Sequence, residues 1–172
     1  MASIVSVEQI KGLASGSTPN TISIPSGQKL HAPGHIIQIQ STPLLGQVSF
    51  STVSTWNQTN HSCSITPQFS TSKIFVMLTT SIVHSNSAGD NLVQIKRGST
   101  VVTGDNIYSS NSNWKGYNVT LMKLDSPATT SAITYTVQCW HNGGGQMLYN
   151  YTNYGFTESV LTAMEIPQLP VS

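Results

Sequence analysis

Residues 73–84, KIFVMLTTSIVH, are an unusually long and apolar stretch, and they decide the class of fold. β-Branched and aromatic residues are frequent in them, which favours a β-strand. Apolar side chains occur at both odd and even positions, so both faces of such a strand are expected to be covered. We therefore predict a central strand of a sheet over these residues. Apolar runs such as residues 74–78 are far shorter than the roughly 20 residues that span a bilayer, so membrane insertion is not expected.

Segments with the same character precede and follow this strand. Alternation or β-branched enrichment predicts strands over residues 36–40, 46–55, 63–66, 91–97, 100–102, 117–124, 132–141, 146–151 and 159–166. Turn residues separate them, with a hairpin corner at Arg97-Gly98-Ser99 and a longer loop over residues 141–145. No stretch after the first dozen residues has a helical period. The pattern predicts an all-β fold, an antiparallel sandwich of jelly-roll type.

The N-terminal part differs in composition from the rest of the chain. We therefore predict a boundary between an extended appendage, residues 1–34, and a β-sandwich domain, residues 35–172. Residues 14–20, ASGSTPN, are rich in small and turn-forming types, and Thr21-Ile22-Ser23-Ile24 alternates as a strand does. A strand this short needs neighbours, and identical copies of the chain would supply them. Ile22 and Ile24 are therefore predicted subunit contacts.

The last predicted strand, SVLTAMEI over residues 159–166, has apolar residues on both sides. We expect Val160, Thr162 and Met164 to face one way and the side with Leu161, Ala163 and Ile166 to be partly apolar. One of these faces is then available for contact between subunits, and we assign Val160, Thr162 and Met164 to that interface.

Charge is scarce, which bears on the partners of the chain. Only 8% of the 172 residues are Asp, Glu, Lys or Arg, the formal charge is +1, and the basic residues are spread from Lys11 to Lys123. Such a chain offers no field for a phosphate backbone, so nucleic acid is not an expected partner. Its N-terminus lacks a basic stretch followed by a long apolar region, which predicts synthesis in a cytoplasm.

Groups that support catalysis or metal binding are thinly spread. Glu158 and Glu165 stand at opposite ends of a predicted strand, too far apart for an acid and base pair. No catalytic motif occurs, and we predict neither an enzyme nor a cofactor. Ordinary hydrogen bonds are favoured for the five histidines, and ligation of a metal on a symmetry axis stays open. Cys63 and Cys139 are expected to be buried thiols, with a disulfide still possible.

Aromatic residues give the one hint of a binding surface. They crowd two polar segments, YSSNSNWKGYN over residues 108–118 and YNYTNYGF over residues 149–156. Rings that stack on a sugar, beside Asn, Ser and Thr, would recognise a glycan, although packing in a core is the commoner use of such rings. The receptor-binding candidates are Trp114, Tyr117, Tyr149, Tyr151 and Tyr154. Packing is favoured more strongly for Trp56 and Trp140.

Five strings in order along the chain resemble the tail-fibre-like virion proteins of tailed bacteriophages, cyanophages among them. They are TISIPSGQKLHAPGHIIQIQ, SITPQFSTSKIFVMLT, IKRGSTVVTGD, LDSPATTSAITYTVQ and SVLTAMEI. The resemblance implies a homotrimer in the virion, with an N-terminal part that attaches to other virion proteins and a β domain that trimerises. Contact with a host surface glycan would come from the two aromatic segments. The resemblance carries no catalytic residues.

One departure concerns the shaft. Fibres of this kind usually contain a long repetitive shaft, and no repeat lies between residues 1–34 and the β domain. A short tail fibre or fibre tip is therefore expected, and a capsid decoration protein that docks through its N-terminal segment is the alternative. A free carbohydrate-binding module is a third class, and a polysaccharide-degrading enzyme is disfavoured by the scattered carboxylates.

Overall fold

A computed structural model describes residues 26, 28–29, 32–85, 88–109, 115–152 and 158–168, and the statements below concern these residues. The chain divides into two compact units, Met1–His31 and Ala32–Ser172. Only three described residues belong to the first unit. The strand predicted at residues 21–24, with Ile22 and Ile24, lies outside the described residues and stays a prediction.

Ten antiparallel strands make up the second unit, and the described residues contain no helix, hence none long and apolar enough to cross a membrane. The strands are β1 Gln38–Leu44, β2 Val48–Phe50, β3 Asn57–Ile65, β4 Lys73–His84, β5 Gly89–Arg97, β6 Thr100–Ser109, β7 Lys115–Asp125, β8 Ile133–His141, β9 Met147–Tyr149 and β10 Ser159–Ile166. The all-β prediction is confirmed, and each strand predicted after residue 35 overlaps an observed one.

The first sheet is built around β4, as a central strand requires. β7 pairs with the full length of one edge of β4, while β10 and β9 pair with successive parts of the other edge. β1 pairs with the outer edge of β10, and β2 with the outer edge of β9. The six-stranded sheet is therefore four strands wide, because two of its positions are each shared by two short strands.

The second sheet has the order β3-β8-β5-β6, and its inner face packs on the inner face of the first. Alternate residues of each strand supply the core, as the period of two demands. The residues of the core that are completely covered include Ile74, Val76, Leu78, Val93, Ile95, Tyr135, Val137, Cys139, Met147, Tyr149, Leu161 and Ala163. The prediction of two packed antiparallel sheets is confirmed.

Several strands extend beyond their predicted bounds, β3 and β6 by the largest number of residues. β3 begins at Asn57, six residues early, because the polar Thr59 and His61 point inward and are buried with hydrogen bonds. β6 continues to Ser109, seven residues past its predicted end, and includes Gly104. Both segments pair in the ladder although neither has an apolar period.

The loop over residues 141–145 returns the chain from β8 to β9 under a strict steric limit. Gly145 has a φ of +87°, and a Cβ there would lie 2.1 Å from the carbonyl oxygen of Ser85. Only glycine fits such a close approach of two backbones. The contact fixes this loop beside the end of β4.

Candidate functional site: the outer face of the six-stranded sheet

Strand β10 presents the predicted interface residues on the outer face of the six-stranded sheet. Its residues Ser159, Leu161, Ala163 and Glu165 are completely buried, so their side chains point inward. The alternate positions, including Val160, Thr162 and Met164, point away from the core. The prediction for Ile166 was wrong: it belongs to this outer face by the same alternation, and Glu165 takes the inner position.

The register of four strands brings further apolar side chains beside them. One row across the sheet contains Ile39, Met164, Phe75 and Leu124, on β1, β10, β4 and β7 in that order. The next row contains Ser41, Thr162, Met77 and Met122. The apolar outer face is defined here as Ile39, Phe75, Met77, Met122, Leu124, Val160 and Met164.

The exposure of this apolar outer face is high for side chains of its kind. Ile39 is 55% exposed, Met122 56% and Leu124 44%. Phe75, Met77, Val160 and Met164 are half-buried. None of the seven carries a charge. Contiguous exposed apolar surface of this sort marks contact sites in proteins.

Thr162, the third predicted interface residue, is part of the same surface but less available. It is 6% exposed, and its hydroxyl forms a 3.0 Å hydrogen bond with the hydroxyl of Ser41. This contact joins β1 to β10 on the outer face. Thr162 therefore supports the surface more than it contributes to it.

Glu165, on the opposite side of β10, is a buried carboxylate with several donors. Its Oε1 accepts hydrogen bonds from the backbone N–H of Gln68 at 2.8 Å and of Phe69 at 3.2 Å, and from the Ser72 hydroxyl at 2.6 Å. Its Oε2 accepts from the side-chain amide of Gln38. The carboxylate thus anchors the loop between β3 and β4. Glu158, next to the other end of β10, is exposed to solvent.

Asp125 is also engaged in holding the sandwich together. Its carboxylate accepts from Arg97 Nε at 2.6 Å and from the Tyr135 hydroxyl at 2.8 Å, and both donors belong to the other sheet. Burial disfavours the charged form, but the hydrogen bonds from Arg97 and Tyr135 outweigh it and lower the pKa of Asp125. This ion pair links the two sheets at one end.

The predicted receptor-binding tyrosines fall into different environments. Tyr149 is completely buried, so its ring is not available to a receptor. Tyr117 packs against the core. Tyr151 is half-buried, and its backbone is bound to Ser81 on β4 by hydrogen bonds of 3.0 and 3.4 Å. Trp114 and Tyr154 lie outside the described residues. A receptor contact through Trp114, Tyr151 and Tyr154 stays a prediction.

Asn150 closes the base of the segment that separates β9 from β10. Its side-chain N–H groups donate to the carbonyls of Leu44 at 2.8 Å and Gly46 at 2.7 Å, and its Oδ1 accepts from the N–H of Ser159 at 2.8 Å. Its φ is +55°, a conformation that asparagine tolerates better than most residues. One side chain therefore joins both interrupted positions of the sheet. Nothing in the sequence pattern indicated this role.

The side chain of His61, on β3, links the two sheets by hydrogen bonds. Its Nε2 lies 2.7 Å from the carbonyl of Thr42, so Nε2 donates, and its Nδ1 accepts from the Tyr149 hydroxyl at 2.7 Å. Burial lowers the pKa of His61, against the opposing effect of the Thr42 carbonyl. The ring is thus held neutral, in one tautomer, as a structural link.

Among the described residues, the two cysteines form no disulfide and the potential metal ligands form no metal site. Cys63 and Cys139 are both buried and free, and burial raises the pKa of each thiol. Cys63 pairs with Tyr135, four residues from Cys139, which separates the two by about 13 Å along the strand, too far for a disulfide. No three His, Cys, Asp or Glu side chains of the described residues converge as metal ligands do.

Comparison with known proteins identifies no relative: no family model matches the chain, and no curated protein matches its sequence.

Proposed function

We propose that this chain is a structural and attachment protein of a bacteriophage particle, a short tail fibre or fibre tip that assembles as a homotrimer. The observation that carries the proposal is the apolar outer face of the six-stranded sheet. Seven uncharged apolar side chains from four strands form it, and three of them are more than 40% exposed. Contact with copies of the same chain would remove this surface from water.

The class of the assembly comes from the resemblance of five strings to tail-fibre-like virion proteins. That resemblance implies three subunits and attachment to other virion proteins through residues 1–34, and we add contact with a host glycan as part of the proposal. The composition agrees with such a role, because Ser and Thr together supply 45 of the 172 residues and solvation relies on hydroxyls. The proposal requires no catalytic group.

We further propose that the sandwich is a jelly roll. If β1 with β2 and β9 with β10 each count as one interrupted strand, the eight positions have the orders 1-8-3-6 and 2-7-4-5 in the two sheets. That order supports a jelly roll, in which two Greek keys place the first and last strands side by side. Capsid and lectin domains both use this architecture, and either use is compatible with the proposed function.

Antibody labelling in electron micrographs tests the proposal. An antibody raised against the purified chain is applied to intact particles of the virus that encodes it. Labels at the tail or its tip are expected. Labels distributed over the capsid would replace the tail assignment with the decoration alternative, and particles without label would overturn a virion role altogether.

A further inference from the structure

A row of amide side chains crosses the outer face of the four-stranded sheet, and Leu92 and Trp140 form the paired position beside it. Gln58, Gln138 and Gln94 occupy paired positions on β3, β8 and β5, and Gly104 is the next position on β6. Gln94 follows the completely buried Val93, so this row points away from the core. Gln94 and Gln138 are each only 8% exposed, and the Gln94 amide donates to Gln138 Oε1 at 2.8 Å, so Gln58 is the amide of this row that is open to a ligand.

Two hollows lie on this face of the sheet. One has a volume of about 310 Å³, and the residues that form its walls include Trp56, Leu92, Gln94, Gly104 and Asn106. The other has a volume of about 270 Å³ and is lined by Gln58, Asn60, His61, Ser62 and Thr136. Each is close to the lower limit of size for small-molecule sites, about 300 Å³. The glutamine row runs across the sheet between them.

Gly104 keeps the first hollow open. Its backbone is outside the left-handed region, so its conformation does not demand glycine. A Cβ at this position would lie 3.0 Å from the carbonyl oxygen of Val93 and 3.1 Å from Cβ of Gln94. Glycine inside a strand often marks a place where another molecule approaches the backbone. Here it leaves the floor of the hollow without a side chain.

Trp56 supplies an aromatic wall beside these amides. It precedes β3, is 40% exposed and lines the same hollow as Gln94 and Gly104. An exposed indole ring covers the apolar face of a sugar, while amides and hydroxyls pair with its hydroxyl groups. Of the residues that line the two hollows, Asp105 is the one carboxylate and none is Lys or Arg. These walls favour an uncharged ligand over a phosphate or sulfate ester.

We propose that this face binds a neutral oligosaccharide that lies across the strands from β3 to β6. One sugar ring packs on Trp56 above Gly104, and a neighbouring unit occupies the hollow lined by Asn60, Ser62 and Thr136. The inference rests on the attachment part of the proposed function, but it stays testable apart from it. Self-association depends on the opposite sheet, so loss of one property leaves the other in place.

A glycan array tests the site, with the full chain probed on neutral hexose and N-acetylhexosamine oligosaccharides beside sialylated and sulfated ones. Binding to at least one neutral oligosaccharide is expected. Trp56→Ala and Gln58→Ala, titrated against that oligosaccharide by calorimetry, are each expected to weaken it at least tenfold. Both side chains lie at the surface, so melting temperature and oligomeric mass should remain those of the wild type.

Val53→Ala is the matched control, because Val53 is 43% exposed in the same loop as Trp56 and lines neither hollow. It should bind like the wild type. Absence of binding to every neutral oligosaccharide, binding restricted to acidic glycans, or Trp56→Ala affinity equal to that of Val53→Ala would each overturn the proposal. A wild-type trimer that binds no glycan would remove this site and leave the structural role intact.

Discussion

The two sheets of the sandwich have similar inner faces and opposite outer faces. Inside, both present fully buried apolar side chains such as Leu78 and Val137. Outside, the six-stranded sheet exposes Ile39 and Met122 within a group of seven apolar side chains, whereas the four-stranded sheet exposes amides and hydroxyls such as Gln58, with Val101 and Tyr108 exposed on β6. The inner faces explain why the chain folds. We propose that the apolar outer face meets protein and that the more polar one meets a polar ligand or water.

The largest expected effect comes from Asn150, because its side chain joins both interrupted positions of the six-stranded sheet. In Asn150→Ala, the Ser159 N–H loses its acceptor, two carbonyls lose donors, and alanine must adopt a φ of +55°. We expect the free energy of unfolding to fall by about 3 kcal/mol. Urea titration measures it.

Asn118→Ala is the control for this change. Asn118 is exposed on β7, and its replacement should alter the free energy of unfolding by less than about 0.5 kcal/mol. Equal urea midpoints for Asn150→Ala and Asn118→Ala would show that Asn150 does not hold the sheet.

A second change separates the two sides of β10. Glu165→Gln keeps the shape of the side chain but places an amide among donors, including the N–H of Gln68 and the hydroxyl of Ser72. A loss of about 2 kcal/mol in the free energy of unfolding is expected, since hydrogen bonds to charged groups contribute the most. Oligomeric mass should not change. Glu158→Gln, at an exposed position, should leave the free energy of unfolding and the oligomeric mass unchanged. A changed oligomeric mass in Glu165→Gln alone would contradict the assignment of the subunit contact to the outer side of β10.

A smaller effect concerns pH and the link between the sheets. Burial lowers the pKa of His61 in the folded chain, so below about pH 6.5, the ordinary pKa of histidine, the unfolded chain binds more protons than the folded one. The free energy of unfolding should therefore fall as the pH falls below that value, by at most about 1.4 kcal/mol per pH unit for each such histidine. His141, whose pKa burial also lowers, adds to the slope.

His61→Gln isolates the share of His61 in this dependence. Urea titrations between pH 7.5 and pH 5 should give a shallower slope for the variant than for the wild type. A wild-type stability that rises on acidification, or identical slopes, would contradict the neutral tautomer assigned to His61.

Periodicity predicted the strands well and the polar interior poorly. The stretch 73–84 was predicted with its observed bounds, because apolar residues on both sides leave little choice but a central strand. The start of β3 was missed since Thr59 and His61 are buried through hydrogen bonds to residues distant in sequence. Alternation placed Val160 and Met164 on one face, but their neighbours on β4 and β7 follow from pairing that no local pattern contains.

The exposure of the candidate site residues was also not predictable from the local sequence. Trp56, which the sequence favoured as a packing residue, is 40% exposed and lies beside Gly104, which is far away in sequence. Tyr149 differs from its prediction in the opposite direction. It lies in a polar segment of the sequence, yet its ring is buried and its hydroxyl is hydrogen-bonded to His61 inside the sandwich. Burial of a ring depends on which strands pair, and local composition does not determine that pairing.

We propose that the apolar outer face of the six-stranded sheet joins copies of the chain. Light scattering coupled to size exclusion tests it most directly, with Met122→Asp on that face compared with Ser62→Asp on the exposed outer side of β3. We predict a mass near 55 kDa for the wild type and Ser62→Asp, three times the 18.5 kDa of one chain, and 18.5 kDa for Met122→Asp. A wild-type mass of 18.5 kDa, or a Met122→Asp trimer as stable as the wild type, would contradict the account.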